Sequence, residues 1–184
     1  MKIVVCIKQV PDTTEVKLDP KTGTLIRDGI PSIINPDDKG GLEYALQLKE
    51  QYGAEVTVIT MGPPQAEAVL REAFAMGADR AILLTSRKFA GADTLATSNA
   101  LAGALRVLDY DLILAGRQAI DGDTAQVGPQ IAEHLGIAQV SYLEDLEFDG
   151  KKTFRIKKQL EDGYQIVEVE SPCLLTCLAS AVKP

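Results

Sequence analysis

The chain has 184 residues, 46% hydrophobic and 24% charged, so one sizeable core is expected, a single domain with an appendage rather than two domains. Lys and Arg number 19 and Asp and Glu 26, a formal charge of −7, which argues against the clustered basic surface that a nucleic-acid partner requires. No apolar run approaches the roughly 18 residues of a membrane span, and one His with three Cys (Cys6, Cys173, Cys177) makes a poor zinc or disulfide framework.

Lys2 to Ile7 is a short apolar run rich in β-branched residues and reads as a buried strand. It meets Lys8 and Gln9 too soon to be a signal-peptide core, so a cytoplasmic location is expected. The chain then turns polar. Asp19-Pro20-Lys21-Thr22-Gly23 divides two short alternating stretches, Glu15–Leu18 and Thr24–Arg27, which predicts an inserted hairpin. Asn35-Pro36-Asp37-Asp38 predicts a helix start, with Asn as the cap, Pro in the first turn and acids at the positive end of the dipole. Leu42, Ala45, Leu46 and Leu48 fall near helical spacing, and Gly53 ends that helix. Strand Glu55–Met61, helix Pro63–Met76 with its stop at Gly77, strand Arg80–Leu84, helix Asp93–Leu108 and strand Asp111–Ala115 follow. Repeated strand–helix alternation predicts a parallel sheet flanked by helices on both faces. From about Ser141 the pattern changes to period two. Leu146–Phe148, Lys152–Lys158 and Gln165–Glu170 alternate around Asp149-Gly150 and Asp162-Gly163, and Asp-Gly between such runs is a hairpin signal. The expected fold class is therefore α/β: one domain over 1–184, in which 141–178 form a small antiparallel β extension.

In an open parallel sheet, ligands sit at the carboxyl ends of the strands, where the topology reverses. Four segments would meet there: Cys6–Val10, Asn35–Asp38, Met61-Gly62-Pro63 and the stretch that starts at Gly116. The last is the richest. Gly116-Arg117-Gln118-Ala119-Ile120-Asp121-Gly122-Asp123-Thr124-Ala125-Gln126-Val127-Gly128-Pro129 leaves a buried strand, carries three glycines and enters the helical stretch Gln130–Leu135. Glycines permit close backbone approach and positive φ, and the free N–H groups of the next helix attract an anion, so a nucleotide phosphate is the candidate ligand. Thr124 could add a hydroxyl donor and Gln126 an amide. Asp121 and Asp123 could cap the helix, bind ribose hydroxyls or hold Arg117; the competing reading is an Asp-rich turn that only caps a helix. The string matches neither the Walker nor the dinucleotide fingerprint. Asp121 and Asp123 as a hydrolase pair would need a pocket and a positioned water. Cys6, ending an apolar strand, suits packing better than nucleophilic catalysis. With no nucleophile–base–orienter set in view, binding and electron or group carriage are expected over hydrolysis.

Val5-Cys6-Ile7-Lys8-Gln9-Val10-Pro11-Asp12, Ile34-Asn35-Pro36-Asp37-Asp38, Met61-Gly62-Pro63-Pro64, Ala75-Met76-Gly77-Ala78-Asp79-Arg80 and the Gly116–Pro129 string together resemble the β subunit of electron transfer flavoprotein. They stand in that family's order and spacing, over the whole chain. The resemblance implies an adenine-nucleotide-hydrolase-like (Rossmann-like) fold and a heterodimer with a larger α subunit that carries the redox-active FAD. It implies AMP in the β subunit of ordinary members, and in electron-bifurcating members a second FAD that takes a hydride from NADH. Carried over by position, it implies nucleotide contacts from Cys6, Asn35, Pro36, Asp37, Asp38 and Met61. It implies the same for Gly116, Arg117, Gln118, Ala119, Ile120, Asp121, Gly122, Asp123, Thr124, Ala125, Gln126 and Val127, with no catalytic and no metal residue. The isoalloxazine would lie toward the α subunit, near Lys8–Asp12.

With Gly122, Thr124, Ala125 and Val127, the string is more similar to the bifurcating, anaerobe-type group, which makes FAD the expected cofactor and AMP the alternative. The implied function is carriage of electrons, with the α subunit, between NADH or acyl-CoA-type dehydrogenases and downstream acceptors. Family β subunits continue into an arm that wraps the flavin domain of the α subunit, and this chain stops about where that arm should begin. Dehydrogenase docking and stable heterodimerisation are therefore open, and self-association through uncovered apolar surface is a further expectation. A stand-alone adenine-nucleotide sensor without redox role is the second reading. An ATP pyrophosphatase ranks last, because Lys8-Gln9-Val10-Pro11-Asp12 lacks a Ser/Gly-rich phosphate loop.

Overall fold

A computed structural model of the chain describes residues 1–12, 17–18, 21, 25–26 and 31–181. Strand β1 (Lys2–Cys6) is followed by β2 (Gln9–Pro11), the short strands β3 (Lys17–Leu18) and β4 (Leu25–Ile26), and β5 (Ser32–Ile34). β2 pairs antiparallel with β5, and β3 with β4 through Lys17↔Ile26 and Leu18↔Leu25. That pairing agrees with the inserted hairpin; the rest of 15–27, save 21, lies outside the described residues.

Helix α1 (Pro36–Tyr52) stops at Gly53, whose φ of 67° is the left-handed conformation a helix end favours in glycine. Then come β6 (Glu55–Met61), α2 (Glu67–Met76), β7 (Arg80–Leu84), α3 (Thr94–Leu105), β8 (Leu112–Gly116) and α4 (Val127–Leu135). The Asp93 carboxylate caps α3 by accepting from the Ala96 N–H at 2.8 Å. The chain ends in β9 (Ala138–Phe148), β10 (Thr153–Leu160), β11 (Gly163–Glu170) and β12 (Cys173–Cys177). Among the described residues no helix is long and apolar enough to cross a membrane.

The main sheet runs β11-β10-β9-β12-β8-β1-β6-β7. From β9 to β7 the neighbours are parallel; β10 and β11 add antiparallel to the β9 edge. Alternate residues of β1 feed two apolar layers, as the period of two requires. Ile3 and Val5 pack with Leu42, Ala45 and Leu48 of α1 and Val69, Leu70 and Ala73 of α2. Val4 and Cys6 pack with Leu101 and Leu105 of α3 and Ile131 and Ala132 of α4. Helices α1 and α2 thus cover one face, α3 and α4 the other.

The β9–β11 meander leans on α1. Tyr44 Oη donates to Glu144 O at 3.1 Å, Tyr52 Oη to Phe148 O at 3.0 Å, and the Phe148 and Phe154 rings stack with centroids 4.6 Å apart. Tyr142, at φ 61°, marks where the β9–β12 register shifts and β9 turns toward the helix.

Several boundaries differ from the sequence reading: α2 begins at Glu67 rather than Pro63, and α3 ends at Leu105 rather than Leu108. α4 begins at Val127 rather than Gln130, and β9 at Ala138 rather than about Ser141. β12 is no part of the antiparallel fringe: it lies between β9 and β8, parallel to both. All five of its residues are buried, and a strand covered on both faces belongs inside a parallel sheet.

Candidate functional site

From β1 the chain passes through α1 to β6 and on to β7 on one side; from β7 it returns through α3 to β8 on the other side of β1. The direction therefore reverses between β1 and β8, and an open sheet presents its ligand crevice outside the carboxyl ends of such strands. A cleft of about 1080 Å³ lies there. One wall is Cys6, Ile7 and Lys8 with Asp38 behind them; another is Gly116–Ala119 continuing through Gly122 and Thr124–Gly128. Met61 to Pro64 close the β6 side, and Leu101 and Ile131 form part of the apolar floor.

The start of α1 holds these walls in place. Asp38 Oδ2 accepts from the Lys8 N–H and Oδ1 from the Gly116 N–H, both at 2.8 Å. Asn35 clamps the long loop twice: its Nδ2 donates to Gln118 O at 2.8 Å, and its Oδ1 accepts from the Ile120 N–H at 3.0 Å. Asp37 Oδ1 accepts from the Ala179 N–H at 2.8 Å, just past β12. Across the mouth, Lys8 Nζ reaches both carboxylate oxygens of Asp121, at 2.7 and 2.9 Å.

Glycine is required at two points by close approach. A Cβ on Gly116 would fall 2.2 Å from Asp38 Oδ1, and one on Gly128 would fall 2.6 Å from Thr176 Cγ2. The left-handed positions of the loop are not its glycines but Asp123 (φ 50°) and Ala125 (φ 54°). Asp123 is held there by its N–H to Ala119 O at 2.9 Å and by Gln118 Nε2 on its carboxylate at 2.9 Å.

Burial pushes the Asp38 carboxyl up to about 7, against the pull of its Lys8, Asn35 and Gly116 hydrogen bonds. Burial likewise holds the Cys6 thiol at about 12, so it stands as a neutral wall of the cleft and not as a nucleophile.

Of the expected contact residues, Cys6, Asp38, Met61, Gly116, Arg117, Gln118, Ala119, Gly122, Thr124, Ala125, Gln126 and Val127 line the cleft. Asn35, Pro36, Asp37, Ile120, Asp121 and Asp123 are not among the lining residues, and most of them brace the loops from outside it. Asn35 makes no cap bond to α1, since its side chain is committed to the loop. The two loop acids do not hold Arg117; its Nε lies 3.3 Å from Asp37 Oδ2, out of hydrogen-bond alignment. His134 Nε2 sits 3.2 Å from Ser98 Oγ, where it joins α4 to α3.

Sequence reasoning missed the wall after β7, where Ser86, Phe89, Thr94 and Thr97 line the cleft. Thr94 Oγ1 donates to Gln126 Oε1 at 2.8 Å and so ties that wall to the long loop. The available signal was the Asp93-Thr94 helix start, which directly follows a strand and its loop.

The electron transfer flavoprotein domain matches residues 22–184. The chain is 66% identical over 178 residues to the electron transfer flavoprotein subunit beta of Clostridium acetobutylicum, covering 97% of this chain and 68% of that one. It is 59% identical over 186 residues to the caffeyl-CoA reductase-Etf complex subunit CarD of Acetobacterium woodii, covering 100% and 71%. To the acryloyl-CoA reductase electron transfer subunit gamma of Anaerotignum propionicum it is 53% identical over 189 residues, covering 100% and 70%. A parallel α/β sheet with its cleft at the strand ends, and matches of this extent, lead to one conclusion: the chain belongs to the electron transfer flavoprotein family, on the side of its beta subunits.

Proposed function

We propose that the chain is a single nucleotide-binding domain that holds FAD in the strand-end cleft, with AMP as the smaller alternative. Paired with an α subunit in the cytoplasm, it carries electrons between NADH or an acyl-CoA-type dehydrogenase and a further acceptor. Electron transfer itself is the role of the family; the cofactor and partners are the proposal. Two relatives are named as subunits of a caffeyl-CoA reductase complex and of an acryloyl-CoA reductase, which supports the acyl-CoA end of that route.

The observation that carries the reading is the size and place of the cleft. At about 1080 Å³ it reaches the top of the ~300–1,000 Å³ range of small-molecule sites, more room than a mononucleotide fills. The residues fit such a group. α4 starts at the cleft with no side-chain cap, which leaves first-turn N–H groups for a phosphate. Lys8 and Arg117 also line the cleft, each paired with an acid (Asp121 and Asp37), and Cys6, Ile7, Met61, Leu101 and Ile131 offer apolar surface to flat rings. FAD when bound supplies the electron and hydride chemistry, while the chain binds, orients and excludes water.

The test is to equilibrate the purified chain separately with FAD and with AMP, remove free ligand, and identify what acid releases by mass spectrometry. Retained FAD in near-equal amount, with a yellow protein, is the expected result. AMP retained while FAD is washed away would overturn the FAD assignment, and retention of neither would overturn the nucleotide reading.

A further inference from the structure

We infer that Asp38 is the positioning residue of the cleft: its carboxylate joins the loops that leave β1 and β8, and ligand binds only while both are held. The inference rests on the proposed nucleotide reading for the identity of the ligand, but its geometry stands apart from that reading.

Lys8 and Gly116 are the points where β1 and β8 give way to opposite walls of the cleft. Their backbone N–H groups converge on one side chain, each at 2.8 Å and each on its own oxygen. That side chain comes from α1, remote in sequence from both strand ends, and it is only 7% exposed. The chain makes room for it by having no side chain at 116. A carboxylate offers acceptors on both oxygens. A neutral carboxyl or an amide carries hydrogen on one side and so turns a donor against one of the two N–H groups. Asp38 therefore holds both loops best when ionised.

Its surroundings set where that ionisation occurs. Cys6 from β1 and Cys177 from β12 face it as buried neutral thiols, and Asp37 beside it on α1 adds negative charge. Asp37 itself is engaged by the Ala179 N–H and lies near Arg117, and the Lys8 ammonium is committed to Asp121. None of the ion pairs among the described residues includes Asp38. Burial without a cation places the carboxyl at about 7, so the hold on the loops is graded around neutrality.

Two readouts on the full chain test this. In the first, amide hydrogen-exchange protection factors are measured by NMR without ligand, from pH 8 to pH 6, for the wild type and Asp38→Asn. Protection at Lys8 and Gly116 should fall with pH in the wild type and be low throughout in the variant. Ile120, held by the non-titrating Asn35, should keep its protection in both. In the second, FAD and AMP are titrated over the same range. Wild-type affinity should drop about fivefold from pH 7 to pH 6, as expected for a ligand that requires the ionised form of a group titrating near 7. The variant should bind FAD, whose diphosphate does not titrate here, more weakly and with no pH dependence in this window.

Unchanged protection at Lys8 and Gly116 in Asp38→Asn, or wild-type affinity that is flat with pH, would overturn the inference. If neither FAD nor AMP binds, the nucleotide reading fails while the exchange data still decide the role of Asp38. If the variant does not fold, the wild-type protection and affinity profiles decide it alone.

Discussion

Gly116→Ala probes the tightest contact in the cleft wall. The added Cβ would sit 2.2 Å from Asp38 Oδ1, 2.7 Å from Asp38 N and 2.9 Å from Asp37 C. Two of those atoms are α1 backbone, which cannot rotate away, and the third is a carboxylate pinned by two amides. Relief requires α1 to slide or Asp38 to let go of at least one amide. Overpacking of this kind costs about 1–3 kcal/mol, and losing a hydrogen bond to a charged acceptor about 1.5–3 kcal/mol. A loss of about 3–5 kcal/mol is expected from the two together, a large share of the ~5–15 kcal/mol that holds a domain folded. For a chain of this size that lowers Tm by about 10 °C. Urea titration and thermal unfolding read it directly. Two glycine controls separate the clash from the substitution itself. Gly122 has nothing within 4 Å of its Cβ position, so Gly122→Ala should stay within about 0.5 kcal/mol. Gly103, inside α3 with open space around it, should gain about 0.5–1 kcal/mol on changing to Ala. If Gly116→Ala falls within about 1 kcal/mol of Gly122→Ala, the close approach of Asp38 is wrong.

Two further outcomes follow from the buried groups. The folded chain retains the Asp38 proton between its ordinary value of 3.8 and about 7, while the unfolded chain has lost it. Stability should therefore fall as pH rises from 5 to 7, by about 1 kcal/mol per unit from this group, and level off above. Urea midpoints at pH 5, 6, 7 and 8 should show that slope in the wild type and lose it in Asp38→Asn; an equal slope in both would refute the assignment. All three cysteines are buried and free, with Cys6 and Cys173 pushed up to about 12 and Cys177 also raised. A thiol reagent at pH 8 should label the native chain slowly and three thiols at once in denaturant, and rapid native labelling of Cys6 would contradict its burial.

Most of the fold was legible because it is written in short-range signals. The apolar β1 run, the Gly53 stop, the helix start at Asp93 and the two Asp-Gly turns each involve residues within a few positions of one another. The site was legible only as a set of segments. The wiring among them depends on partners far apart in the chain: Asp38 reaches across 30 residues to Lys8 and 78 to Gly116, and Asn35 across 83 to Gln118. A local rule assigns Asn35 to the cap of its own helix, yet tertiary hydrogen bonds claim its side chain. The same reason placed positive φ on glycines, whereas the loop bends at Asp123 and Ala125, where specific bonds hold the backbone. β12 went to the fringe because order in sequence does not reveal order in the sheet, and only its complete burial marks it as interior.

The conflicts between local preference and structure gather at one edge of the sheet. Along β1, β6 and β8 residue type and burial largely agree, with apolar residues on both faces and Thr57 and Thr60 of β6 as the buried polar exceptions. At the carboxyl ends the chain instead buries an acid, bends two non-glycine residues into the left-handed region and leaves α4 without a side-chain cap. Each of these is destabilising by itself, and a sequence selected only to fold would avoid them. They persist because neighbouring elements enforce them: α1 supplies Asp38, Asn35 and Asp37, and those three side chains secure the segments after β1, β8 and β12. Strain of this kind, held by the surrounding structure and confined to the rim of a cleft, marks where a fold gives up stability for binding. By that argument the pH slope and the loop protection at Lys8 and Gly116 should move together in Asp38→Asn, because both arise from one ionised carboxylate. A variant that loses the slope yet keeps the protection would separate the stability cost from the positioning role.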